Sequence, residues 1–216
     1  MIKQFAVIGL GRFGNSVART LTALGHEVLA LDVAEDNVNE ALANQHATQA
    51  MCLDTTNIHG LEELGLTNFD AVILAIGANL QESILTALNL IELGVKNVVA
   101  KANGAEHGKI LERLGVRRVI YPEREMGERV AKNLVQASIL ESIELDPRYS
   151  IIEIKPPDHL IGKTLAEADL RSRYGIYVIA VKHGDEVDIV PDPTKRIYNE
   201  DILVVIGETR QLKRIV

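Results

Sequence analysis

Six residues, Gly9-Leu10-Gly11-Arg12-Phe13-Gly14, constrain this chain more than any other stretch. The apolar run Phe5-Ala6-Val7-Ile8 leads into them, and the helix-like run Asn15-Ser16-Val17-Ala18-Arg19-Thr20-Leu21 leaves them. A strand before and a helix after turn a common glycine spacing into a dinucleotide-binding fingerprint. Gly9 allows the tight turn, Gly11 lets backbone approach a pyrophosphate, and Gly14 lets the helix pack close to the strand. The free N–H groups at the helix start then face the anion. A second apolar run, Val28-Leu29-Ala30-Leu31, ends in Asp32, about twenty residues into the unit, where a carboxylate accepts hydrogen bonds from ribose hydroxyls. Nothing basic follows at Val33-Ala34, so a ribose 2′-phosphate is repelled. The expected ligand is NAD(H) or an adenine mononucleotide rather than NADP.

The same alternation continues. Strands are expected over residues 5–8, 28–31, 50–53, 71–76, 98–100 and 118–121, with intervening helices ending near Gly25, Gly65, Gly94 and Gly115. Six βα repeats predict a Rossmann-type, doubly wound parallel sheet. Ala71-Val72-Ile73-Leu74-Ala75-Ile76 is apolar throughout, as a central strand covered on both faces must be. An amphipathic helix over 125–140 follows, with Met126, Val130, Leu134 and Val135 near one face. The acidic stretch with Asp146-Pro147 reads as a linker, placed at 141–148 between a nucleotide-binding domain at 1–140 and a second domain at 149–216. That second part reads β-α-β-β-β-α, a small α+β module too small for much stability alone and expected to pair with another copy.

Composition excludes several classes. At 216 residues and 47% hydrophobic, the chain can bury a substantial core. A net charge of −7 offers no basic face for nucleic acid. The single cysteine, Cys52, cannot form an intramolecular disulfide, suits a reducing compartment, and in its apolar run reads as a small core residue. No apolar stretch approaches the roughly 20 residues that cross a bilayer, so the chain is expected to be cytoplasmic without its own anchor. The six histidines show no metal-ligand spacing. Gly162-Lys163-Thr164 imitates the end of a P-loop, but Pro157 stands where the upstream glycine is required, so Thr164 reads as a helix cap.

Taken together, Ile8 to Gly14, Leu31-Asp32, Asp54-Thr55, Ala75-Ile76-Gly77-Ala78-Asn79, Val99-Ala100-Lys101-Ala102 and Ile120-Tyr121-Pro122-Glu123 resemble the RCK/KTN family, the regulators of potassium conductance. The likeness is greatest to the cytosolic gating subunits of bacterial Ktr/Trk-type potassium transporters. It covers Lys3 to about Leu140 as the nucleotide-binding half and Tyr149 to Val216 as the C-terminal half. The resemblance implies homodimers assembled into an octameric ring on the inner face of the membrane, bound to a potassium-translocating membrane subunit. ATP versus ADP, with NAD(H) in some members, would change the ring's shape and gate the pore.

The residues supply reasons for such a switch, each beside a plainer reading. Arg12 can fork onto phosphate oxygens or stand as a solvated charge. Phe13, in the same loop, stacks on a base or packs the first helix. Asp54 and Thr55 either contact adenine or cap a helix starting near Asn57. Ile76, Gly77, Ala78 and Asn79 end the fourth strand across the switch point, where Gly77 lets backbone approach a ligand or makes a turn. Lys101 neutralises phosphate or is a surface lysine. Glu123 is a first-turn acid, or it implies a cation such as magnesium, calcium or sodium bridging it to a terminal phosphate.

In the C-terminal module the family resemblance implies cyclic di-AMP on Arg171, His183 and Pro191, although Tyr177 replaces an expected smaller polar residue; the alternative is a dimerisation surface. Two competing functions are an NAD-dependent oxidoreductase and an NADH-sensing transcriptional repressor. None of the five tyrosines has a lysine four residues later, as a short-chain dehydrogenase requires, and no evident acid–base pair or basic recognition helix is present.

Overall fold

The computed structural model describes residues 1–135 and 139–215. It divides into two compact units, Met1–Met126 and Gly127–Val216.

The first unit alternates strand and helix. Its elements are β1 (Gln4–Ile8), α1 (Arg12–Ala23), β2 (Glu27–Asp32), α2 (Glu35–Ala43), β3 (Gln49–Cys52), α3 (Ile58–Glu62), β4 (Ala71–Leu74), α4 (Leu80–Glu92), β5 (Val98–Lys101), α5 (Ala105–Leu114), β6 (Arg118–Ile120) and the start of α6 (Pro122–Val135). The strands form one sheet in the order β3-β2-β1-β4-β5-β6, and every pairing is parallel. The expected doubly wound sheet is therefore present.

Alternation along the strands divides its core in two. Ala6, Ile8, Val72 and Leu74 join Ala87, Leu90 and Leu111 on one face, whereas Val7, Ala71 and Ile73 join Ala18, Val38 and Ala41 on the other. With side chains pointing to opposite faces at successive positions, both faces must be apolar, hence the unbroken hydrophobic run of β4. Cys52 departs from expectation: it is exposed, because β3 is an edge strand and turns most of its residues to solvent.

The second unit contains β7 (Ile139–Glu144), β8 (Tyr149–Ile154), α7 (Leu165–Ala168), α8 (Leu170–Tyr174), β9 (Tyr177–His183), β10 (Glu186–Ile189), β11 (Asp201–Glu208) and α9 (Thr209–Ile215). It forms an antiparallel sheet ordered β10-β9-β11-β8-β7. Central β11 alternates buried and half-buried residues, placing Leu203 and Val205 in a core with Ile152, Ile154 and Ile197. Thr164 caps α7 in a reciprocal capping box with Glu167, as expected of a cap rather than a P-loop.

One expectation fails here. The helix predicted to reach residue 140 is described as far as Val135, residues 136–138 of that prediction lie outside the described residues, and 139–144, expected as helix end and linker, form β7. Ile139-Leu140-Glu141-Ser142-Ile143-Glu144 carries no clean polar alternation, and on this edge strand Ile143 is left exposed. Along α6, Met126, Val130 and Leu134 are exposed.

Candidate functional site

The chain leaves β1 toward β2 on one side and reaches β4 on the other, so the carboxyl ends of β1 and β4 form the switch point of the sheet. A cavity of about 330 Å³ opens there.

The glycine loop is built as its spacing requires. Gly9 turns with φ +90°, and its N–H donates to the Leu31 carbonyl at 2.7 Å. A Cβ on Gly14 would lie 1.8 Å from the Gly9 carbonyl oxygen, so only hydrogen fits where α1 crosses the end of β1. A Cβ on Gly11 would meet no heavy atom within 4 Å. The space that Gly11 leaves is on the cavity wall, and it caps α1 without a side-chain acceptor for the first-turn amides.

Asp32 binds this loop to the end of β2: one carboxylate oxygen accepts the Leu10 N–H at 2.5 Å, and the other accepts the Ala34 N–H at 2.8 Å. Each oxygen retains a lone pair, so the carboxylate can accept a ribose hydroxyl as well. The loop after β3 is held from behind. Asn89 of α4 donates to the carbonyls of Thr55 and Thr56 at 3.1 and 2.9 Å, while the Thr55 and Thr86 hydroxyls meet at 2.9 Å. Asp54 accepts the hydroxyl and N–H of Thr56, which hold its carboxyl below the usual aspartate range, the hydroxyl contributing more.

Of the residues singled out in the sequence, Gly9, Gly11, Asp32, Asp54, Thr55, Ile76, Gly77 and Ala78 line this cavity. Arg12, Phe13, Gly14, Asn79, Lys101 and Glu123 are not on its wall. Gly14 and Phe13 act structurally, Phe13 packing against the core behind α1. The Asn79 side chain caps α4, accepting the Gln81 and Glu82 amides and donating to the Glu82 carboxylate at 2.7 Å.

Val33, Asn37, Leu53, Thr56 and Glu82 also line the cavity and were missed. Glu82 had a signal: an acid three residues after a capping asparagine marks the start of a helix, here the one entering the crevice. Among the described residues, the wall carries three carboxylates, Asp32, Asp54 and Glu82, and no lysine or arginine. Such a wall suits hydroxyl and amino donors, not phosphate.

The cationic groups gather at the next strand ends. Lys101 Nζ lies 2.6 Å from Glu123 Oε1, 6.0 Å from the Phe13 ring centroid, and 3.3 Å from where a Cβ on Gly77 would stand. Asn103 donates to the Gly77 carbonyl. The Lys101 hydrogen bond holds the Glu123 carboxyl below its ordinary range, with smaller charge contributions from Lys101 and Arg12. Because the folded state lowers that value, the pair is present at neutral pH and is given up as pH falls through the depressed value.

Glu123 is the carboxylate expected to hold a cation, but Lys101 already engages it. Among the described residues no three His, Cys, Asp or Glu side chains gather to hold a metal ion. At a nucleotide site one or two carboxylates hold a divalent cation together with phosphate oxygens and water, so a single carboxylate at Glu123 fits such a cation once a terminal phosphate is beside it.

In the second unit, Arg171 and Pro191 line a cavity of about 320 Å³, and the Arg171 guanidinium carbon lies 5.2 Å from the Tyr177 ring centroid. His183, grouped with them in the sequence, is not on that wall: its Nδ1 lies 2.8 Å from Asp201 Oδ1 on buried Asp201, whose other oxygen accepts the Tyr198 N–H.

Residues 5–122 match the TrkA-N domain and residues 149–216 the TrkA-C domain. The chain is 45% identical over 214 residues to the Ktr system potassium uptake protein C of Bacillus subtilis, covering 99% of this chain and 96% of that protein. Its fold resembles that of the GsuK channel bound to NAD, with a TM-score of 0.66 and 18% identity over 98% of this chain and 38% of the channel chain. It also resembles GsuK bound to ADP, with a TM-score of 0.53 and 16% identity over 63% of this chain and 35% of that one. No helix among the described residues is long and apolar enough to cross a membrane. The resemblance drawn from the glycine loop and the strand ends is thus borne out: this chain belongs to the RCK family of TrkA-N/TrkA-C proteins, with a Ktr potassium-uptake subunit as a full-length relative.

Proposed function

We propose that this chain is the nucleotide-responsive regulatory subunit of a potassium-uptake system, acting without a catalytic step and gating a potassium-translocating membrane subunit through ligand-dependent conformations. The observation that carries the reading is the division of charge at the switch point. An acidic cavity of nucleoside size ends at Gly11, and beyond it lie Arg12 at the helix start and Lys101 at the end of β5.

Adenosine fits the cavity, with Asp32 accepting from the ribose and the loop of Asp54 and Thr55 contacting the base. The phosphates then run over Gly11 toward Arg12 and Lys101, so phosphate number decides how many cationic groups the ligand reaches. ATP and ADP are the expected ligands, and NAD(H) uses the same cavity through its adenosine half. A ligand changes shape only through unequal affinity for two states, and the terminal phosphate supplies that inequality.

The exposed Met126, Val130 and Leu134 support pairing with a second copy, and paired copies support the octameric ring expected of the family. A divalent cation such as magnesium or calcium would be held at Glu123 by that carboxylate with terminal-phosphate oxygens and water. The Arg171–Pro191 cavity is the second place for a phosphate-bearing planar ligand such as cyclic di-AMP, with Arg171 on phosphate and Pro191 against the base.

Replacing Arg12 with alanine tests the division of labour. It is expected to weaken ATP about tenfold and ADP less, since a charge-assisted forked contact contributes roughly 1.5–3 kcal/mol. Isothermal titration of both variants with both nucleotides reads the difference. Equal weakening of ATP and ADP would show that Arg12 does not distinguish phosphate number.

A further inference from the structure

The three carboxylates on the cavity wall are not equally engaged. Asp32 has one oxygen on the Leu10 amide and the other on the Ala34 amide. Asp54 takes both Thr56 bonds on Oδ1, which leaves Oδ2. Glu82 takes the Asn79 side-chain amide on Oε1 at 2.7 Å, and among the described residues Oε2 has no protein donor. Two open carboxylate oxygens therefore remain for a ligand in the cavity that both residues line.

Asp54 and Glu82 come to it from different elements that are tied together. Glu82 stands half-buried in the first turn of α4, one turn before buried Thr86 on the same helix face. The Thr86 hydroxyl meets that of Thr55, the residue after Asp54. The two carboxylates thus share the end of the cavity where α4 meets the loop after β3. An ionised carboxylate accepts hydrogen bonds and donates none. The amino group at C6 of adenine offers two N–H donors, whereas the carbonyl oxygen at C6 of guanine or hypoxanthine offers none and is repelled. Asn37, an amide on the same wall, can donate or accept and favours neither base.

We propose that Glu82 is a specificity-determining residue of the nucleotide cavity, its Oε2 accepting one N–H of the adenine amino group while Asp54 takes the other, so that purines carrying a carbonyl at C6 are rejected. This deepens the nucleotide reading and rests on it. A plainer role for Glu82 is to cap α4, since Asn79 accepts its N–H and donates to its carboxylate. Substitution by glutamine separates the two roles. Asn79 donates, so it keeps an oxygen acceptor in Gln, and the new amide nitrogen then stands where Oε2 stood. The cap is retained, and the cavity side changes from acceptor to donor at unchanged size.

The test is isothermal titration of the full chain, stripped of nucleotide, with ATP and ITP, each variant's melting temperature being recorded. ITP has the same sugar and phosphates, with a carbonyl at C6 and an N–H at N1 that can satisfy one of the two carboxylates at most. The unsubstituted protein is expected to bind ATP about tenfold or more tighter than ITP, and Glu82→Gln to reduce that preference about tenfold with little change in melting temperature. Glu82→Ala removes the acceptor without adding a donor, and its preference is expected to fall only about threefold. Equal affinity of the unsubstituted protein for ATP and ITP would overturn the proposal. So would a preference unchanged in Glu82→Gln, or an equal loss of both nucleotides, either of which would leave Glu82 as a cap of α4 alone. An unsubstituted protein that binds neither nucleotide would instead overturn the nucleotide reading, and this proposal with it.

Discussion

Gly14→Ala is expected to abolish nucleotide binding and to destabilise the first unit by about 3 kcal/mol or more. The added methyl carbon would stand 1.8 Å from the Gly9 carbonyl oxygen and 3.1 Å from the Ala75 Cβ. Neither obstacle is the end of a flexible side chain. Gly9 is itself confined, since a Cβ there would lie 3.0 Å from the Ala75 and Ile76 backbone, and its N–H is bound to the Leu31 carbonyl. Relief must come from lifting α1 off the sheet. That moves Gly11 and Arg12 together, so the wall of the cavity and the start of the phosphate path are lost at once. Chemical denaturation and ATP titration of the same variant measure the two losses. A variant with wild-type midpoint and affinity would contradict the tight crossing described here.

Asn89→Leu is expected to cost about 2–4 kcal/mol of stability and to weaken adenine nucleotides, although Asn89 does not line the cavity. Its side-chain amide is the donor to both the Thr55 and Thr56 carbonyls, and those groups lie in a loop whose other face is cavity wall. Leucine has a similar branched shape, a larger volume and no donor, so the two carbonyls lose this partner and the added bulk must be accommodated. The Thr55–Thr86 hydroxyl contact then remains as a tie from the loop to α4. Asn89→Asp separates the two roles: it keeps the shape and replaces a donor by an acceptor facing two carbonyl oxygens, so it is expected to be at least as harmful. Urea denaturation with nucleotide titration of both variants checks this. Retained affinity in Asn89→Leu would show that the loop is positioned otherwise.

These two positions also show what was readable in the chain. Gly14 was legible because its role is backbone geometry, and the spacing Gly9, Gly11, Gly14 between an apolar run and a helix expresses that geometry directly. The six parallel strands were legible for the same reason, their apolar runs being short and closed by turns. Asn89 was not legible. It lies in the middle of α4, and its partners are backbone carbonyls more than thirty residues away, visible only once β3 and α4 are packed.

Cys52 failed because an apolar run states that a residue tends to be covered, but an edge strand leaves it open, and the edge is a property of the whole sheet. β7 failed differently: its residues were read as helix end and linker, and only pairing with β8 makes them a strand. For Lys101 and Glu123 the sequence offered two charges at the ligand edge, each with a role toward phosphate. Their contact with each other follows from β5 and β6 being neighbours, which the order of elements in the chain does not state.

The division of charge at the switch point is tested most directly by isothermal titration of the nucleotide-stripped chain with ATP, ADP, adenosine and NADH, with its mass measured by light scattering. The account predicts that ATP and ADP bind an oligomer with different affinities and that adenosine binds more weakly than either, because it lacks the phosphates that reach Arg12 and Lys101. Binding of NADH alone, with ATP and ADP silent, would contradict it.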